Sequence, residues 1–162
     1  MVRFFLDTGR IVPGIGPSVL LANPATRRNV MKFVSVRIIT DQVDCLTEFY
    51  EQVTGQTARR YTPDFAEIVL PGATLAIGST ATVKLFGEGS AEPAANRTAI
   101  IEFRVDDVDA EFARLRDMIG ELVQDPTTMP WGNRSLLFRD PDGTLVNLFT
   151  PVSAEAIARQ QH

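Results

Sequence analysis

The sequence predicts an α+β fold of two tandem βαβββ modules, whose strands make a curved, open sheet around a concave cavity. Three observations carry that prediction. Residues 39–56, ITDQVDCLTEFYEQVTGQ, align without a gap with residues 104–121, RVDDVDAEFARLRDMIGE. Each copy ends a strand, passes through Asp-x-Val-Asp and enters a helical pattern that closes on glycine. After each helix the pattern shortens to β runs: near 57–61, 66–70 and 74–78 in the first copy, and near 122–126, 135–139 and 144–149 in the second. The turns repeat too, PGATL at 71–75 echoing PDGTL at 141–145.

From the N-terminus, residues 1–30 differ from the rest of the chain. They hold four Arg, one acid and the Pro/Gly-rich stretch IVPGIGPS, and they read as an extension to a domain spanning 31–151, with 152–162 as a tail. The domain opens on MKFVSVRII, where alternation sends Val34, Val36 and Ile38 toward helices and leaves Ser35 and Arg37 facing the cavity. The first helix carries apolar residues at Val43, Leu46, Tyr50 and Val53, the second at Val108, Phe112, Leu115 and Ile119. Asp41 and Asp106 are the expected N-caps, Asp44 and Asp109 sit in the first turns, and Gly55 and Gly120 suit left-handed closing residues. In the second module Ile100, Glu102 and Arg104 face the cavity, while Ile101, Phe103 and Val105 turn to the helix. Asp-Pro-Asp-Gly at 140–143 fits a tight type I turn.

Composition narrows the function. The chain has 162 residues, enough for one well-buried core, and a net charge of −4 with no basic cluster, which argues against nucleic acid as a partner. No apolar run reaches membrane-spanning length, so a membrane is not an expected partner either. The single cysteine, Cys45, fits a reducing cytoplasmic setting and lacks an internal histidine to activate it, so an inert, half-buried thiol is expected. The only histidine is the terminal His162, which leaves nothing for a histidine-based zinc site or a Ser-His triad. GIGPS at 14–18 lacks the Gly-Lys-Ser/Thr ending of a phosphate loop, and the acids at 106–109 are explained as helix caps.

The paired modules, the Phe49-Tyr50 step in the first helix and the hairpin RDPDGTLVNLF resemble the vicinal oxygen chelate superfamily, which includes glyoxalase I, extradiol dioxygenases and bleomycin-resistance proteins. The resemblance covers 31 to about 151 and implies metal ligands on the first and last strands of each module. Those positions fall here on Ser35, Ala76 or Ile77, Ile100 and Asn147. None is a histidine or carboxylate, and a lone Asn beside a Ser is a poor divalent site. No metal or other cofactor is therefore expected, and no catalytic residue is assigned.

In place of a metal, the cavity face offers Ser35, Arg37, Glu102, Asn147 and Phe149 as ligand-binding candidates, with Trp131 of the loop PWGNR at its mouth. Arg37 and Glu102 occupy equivalent repeat positions. They read as a structural ion pair, as two side chains reaching solvent at the open side of a sheet, or as polar anchors in an apolar pocket. Trp131 reads equally as a stacking surface and as a core or interface residue. Tyr61, Phe65 and Phe86 read either as an aromatic wall of the cavity or, as the expectation for each, as core residues. The resemblance implies a homodimer with ligands held between subunits. The function expected is metal-free binding of a small organic molecule, an antibiotic or a metabolite. The alternative is a lyase, isomerase or dioxygenase with an atypical or absent metal site.

Overall fold

The computed structural model describes residues 31–160, so the expected 1–30 extension lies outside the described residues. The first module runs β1 (Ser35–Thr40), α1 (Val43–Thr54), β2 (Arg59–Thr62), β3 (Phe65–Val69) and β4 (Thr74–Ser79), followed by the short α2 (Thr80–Val83). The second runs β5 (Ile100–Arg104), α3 (Val108–Leu115), β6 (Glu121–Thr128), β7 (Asn133–Arg139) and β8 (Leu145–Pro151), and α4 (Ala154–Arg159) comes after it. Two open four-stranded sheets result, ordered β1-β4-β3-β2 and β5-β8-β7-β6. The α+β reading with two βαβββ modules therefore holds. Strands β1 and β5 pair in parallel with β4 and β8 and are edge strands of their sheets.

Local chemistry explains most of the boundaries, with three corrections. The side chain of Asp107, not Asp106, caps α3 by accepting from the N–H groups of Asp109 and Ala110, because the helix starts one residue later than expected. At α1 the N-cap is Gln42 without a side-chain cap, and Thr40 Oγ1 instead accepts the Gln42 N–H at 3.0 Å. Gly55 closes α1 at φ +66° as expected. Gly120 plays no such part, since α3 stops at Leu115 and Gly120 is not left-handed. The Asp140–Gly143 turn forms with the Gly143 N–H donating to the Asp140 carbonyl at 2.9 Å and Gly143 at φ +81°.

The core sits where the helix-facing sides of the two sheets meet. Ile68, Leu75 and Ile77 of the first sheet and Leu136, Phe138, Val146 and Leu148 of the second join Leu46, Phe49, Tyr50 and Val53 of α1 in one cluster. Phe49 lies 6.1 Å from the Phe138 ring and Tyr50 lies 6.3 Å from Phe103, so α1 serves both modules. At their centre the Tyr50 hydroxyl donates to Asp140 Oδ2 at 2.8 Å, while Asp140 Oδ1 accepts from the N–H groups of Asp142 and Thr144. Burial pushes the Asp140 carboxyl above the ordinary carboxylate range, against the pull of its donors, and raises the Tyr50 phenol as well. Arg114 of α3 adds a second tie, donating to the carbonyls of Gln52 and Val53 at the end of α1.

Residues 152–160 pack onto the second module. Ser153 Oγ accepts the Ala156 N–H at 3.1 Å, Ala156 is buried, and Arg159 donates to the Trp131 carbonyl. Gly132, at φ +87°, faces this segment so closely that a Cβ there would meet Ser153 Oγ at 2.1 Å. No helix among the described residues is long and apolar enough to cross a membrane.

Candidate functional site

Because each sheet uses one side for the core, the other side is free to carry polar groups. Strand register fixes which residues share it. On the first sheet Arg37, Ala76 and Glu67 lie side by side across β1, β4 and β3. On the second, the equivalent row is Glu102, Asn147 and Leu137 across β5, β8 and β7. Ser35 stands beside Thr74 in the row before Arg37, and Ile100 beside Leu145 in the row before Glu102. Phe149 comes after Asn147 on the same side, between Arg104 and Ser135.

Arg37 and Glu102 do not pair with each other, which corrects the ion-pair reading. The Arg37 guanidinium lies over Phe65 at 4.9 Å and over Phe86 at 5.4 Å, a cation–π arrangement on its own sheet. Tyr61 extends that surface, 6.0 Å from Phe65. Tyr61 and Phe86 are exposed, so these rings surround Arg37 instead of filling the core. Spacing along the strand gave the side for Arg37 but not its neighbours, which come from β3 and the segment after α2.

Glu102 instead accepts a hydrogen bond from Asn147 Nδ2 at 2.7 Å. With its amide nitrogen turned to the carboxylate, Asn147 directs Oδ1 the other way. That oxygen is buried and has no hydrogen-bond partner. The reverse amide orientation would set two acceptors against each other, so the orphan results from the pairing itself. Glu102 is exposed and Asn147 half-buried; Ile100, Leu145, Leu137 and Phe149 flank them, and Arg139, Gln124, Arg104 and Ser135 share the same rows of that face.

The remaining candidates separate. Trp131 is 54% exposed at the β6–β7 hairpin, beyond the Asn133–Pro151 pairing at the end of β8, and the structure does not bring it to the Glu102–Asn147 pair. Ser35 is exposed on β1, on the sheet that Arg37 occupies. Cys45 is exposed, not half-buried. A cavity of about 450 Å³ opens between the β1 and β5 edges, with Phe33, Val36, Leu75, Ile101 and Phe103 in its walls. Its apolar lining was hidden from the sequence because the two edge strands are far apart along the chain.

The superfamily's metal positions can be tested against this geometry. Ile77 is buried in the core, so Ala76 is the outward residue in its row. Ile100 stands next to Leu145, and the neighbour of Asn147 is Glu102. The set is then a hydroxyl, a methyl group, an aliphatic chain and one amide oxygen, and no group of three His, Cys, Asp or Glu suited to a metal occurs among the described residues. This donor set does not fit a divalent ion.

Comparison with known proteins agrees with the architecture. A family model described as Glyoxalase/Bleomycin resistance protein/Dioxygenase superfamily matches residues 32–148. A glyoxalase/bleomycin resistance protein/dioxygenase from Nocardioides is 23% identical with a TM-score of 0.63, over 77% of this chain and 86% of that one. A family enzyme from Burkholderia phytofirmans PsJN is 17% identical with a TM-score of 0.67, over 75% of this chain and 100% of the other. TioX from Micromonospora sp. ML1 is 22% identical with a TM-score of 0.57, over 75% of this chain and 100% of its own. No curated protein sequence matches the chain. With the family model spanning most of the chain and both modules in place, the chain belongs to the glyoxalase/bleomycin resistance protein/dioxygenase superfamily.

Proposed function

We propose that the protein binds a small organic molecule without a metal, as a homodimer, in a cleft lined by the first sheet of one copy and the second sheet of the other. The observation that supports this reading is the outward face of the second sheet, where Ile100, Leu145, Leu137 and Phe149 flank the polar pair Glu102 and Asn147, whose amide oxygen is buried without a partner among the described residues. Ligand sites commonly have this make-up, a mostly apolar lining with a few placed polar groups. A second copy is the occupant argued for the edges. Strands β1 and β5 expose Phe33, Val36 and Ile100, and opposite charges, Arg37 and Glu102, stand at equivalent positions of the two modules. Ser35, Arg37 and Phe149 belong to the same cleft on this reading, and Trp131 flanks the second module's side of it. The lone Cys45 suits a cytoplasmic setting, where it stays a thiol.

Sedimentation of the full chain and melting-temperature scans with divalent metals and an organic panel test the proposal. A dimer mass, no metal response and a shift of several degrees with one organic class are expected. Stabilisation by manganese, iron, nickel or zinc that a chelator reverses would instead favour the lyase, isomerase or dioxygenase reading.

A further inference from the structure

The Glu102–Asn147 pair says more about the ligand than that one binds. The pair holds two acceptors: the exposed Glu102 carboxylate, held by the Asn147 amide, and Asn147 Oδ1, which is buried and has no donor among the described residues. Neither group offers a free N–H or O–H in this arrangement beyond the second amide hydrogen, so the pair is matched by donors and mismatched by acceptors. Native proteins leave few buried polar atoms unpaired, and each such atom calls for an explanation.

Among the described residues no donor answers it. Leu137, the neighbour of Asn147 on β7, is aliphatic, and so is Leu145 two residues before it on β8. Ser135 is buried beside Phe149, one row away. Arg104, two residues on along β5, and Arg139, beside Leu145 on β7, are cations on the same face; Arg139 pairs with Glu121, and neither forms an ion pair with Glu102 among the described residues. The apolar residues beside the pair supply a wall for a ring or an alkyl body.

We infer that Glu102 and Asn147 form an acceptor subsite for an organic cation bearing at least two N–H donors, an amidinium or a protonated amine on an apolar body. The cation gives one N–H to the Glu102 carboxylate and another to Asn147 Oδ1, once the side chains covering that oxygen turn aside. This inference rests on the small-molecule reading above and names the ligand class for it. The other occupant of the acceptors is Arg37 of a second copy, which would close the cleft on itself.

Three probes with one ring and different charge separate these cases: benzamidine, benzamide and benzoate, titrated calorimetrically into the full chain alongside sedimentation. Benzamidine is expected to bind at least about tenfold more tightly than the other two, and Glu102→Gln to remove that preference. Asn147→Leu is expected to weaken benzamidine binding yet raise the melting temperature of the free protein, because the orphaned oxygen is gone. Arg104→Gln should tighten benzamidine by removing a like charge. Equal binding of all three probes, insensitive to Glu102→Gln, overturns the cation subsite while leaving a binding protein. Binding of none of the probes, with Glu102→Gln and Arg37→Gln each dissociating the dimer, assigns the acceptors to the second copy and also overturns the inference. A monomer that binds no member of the organic panel defeats the broader reading.

Discussion

At the scale of single residues, Asp140 joins two jobs that are usually separate. Its Oδ1 closes the β7–β8 turn and its Oδ2 receives the Tyr50 hydroxyl from the other module. Tyr50→Phe leaves that oxygen buried without its side-chain donor and should cost about 1–3 kcal/mol in a denaturant titration. The pH response has a definite sign. A carboxyl held above its ordinary value of 3.8 binds its proton more tightly in the folded state, so its contribution is complete below 3.8 and is lost as pH rises through the higher folded value. Asp140→Asn should therefore gain stability relative to the unmodified chain as pH rises from about 4 to 7. A constant difference across that range would refute the assignment. Asn147 shows the limit of sequence reading at this scale. Alternation placed it, Glu102 and Arg37 on the correct sides of their strands. It did not reveal that Glu102 turns to Asn147 on the adjacent strand, because the β5–β8 pairing is a long-range choice.

At the scale of elements, the internal repeat made the order of strands and helices legible. Both modules share one hydrophobic period and one turn chemistry, and that agreement is what a folded pattern requires. Helix ends were less legible. Adjacent acids Asp106 and Asp107 look alike as caps, and only the start of α3 at Val108 decides between them. Asp107→Ala should cost about 1 kcal/mol, while Asp106→Ala and Asp41→Ala should be close to neutral in the same thermal melts. Gly132 escaped notice for a different reason. Its need for a left-handed backbone and bare Cα comes from Ser153, which lies just beyond β8. Gly132→Ala should loosen α4 and lower the melting temperature. Hydrogen exchange would locate the faster amides in 153–159 and leave α1 unchanged.

At the scale of the whole molecule, α1 belongs to the first module by sequence and to both by contact. Phe138 is fully buried against it, so Phe138→Ala should cost about 3–5 kcal/mol. Because Tyr50–Asp140 and Arg114 with the α1 carbonyls also cross between modules, unfolding should remain a single transition in that variant, with fluorescence and circular dichroism coinciding. Two separated transitions would mean that the modules are stable independently. The shared core was only partly readable from the chain. Periodicity named its members, whereas the joining of both helix-covered sheet faces depends on packing that no local pattern encodes.

The division of each sheet into a core side and an outward side has an evolutionary consequence. Asn147 and Phe149 project from the strand that supplies Val146 and Leu148 to the core, and Arg37 and Glu102 from the strands that pack Ile38 and Phe103 against it, in each case at alternate positions and on the other side. Substitutions can therefore accumulate at one set of positions while the other set keeps the chain folded. A lineage built on this arrangement can exchange a charge or acquire an amide on that side without first becoming unstable.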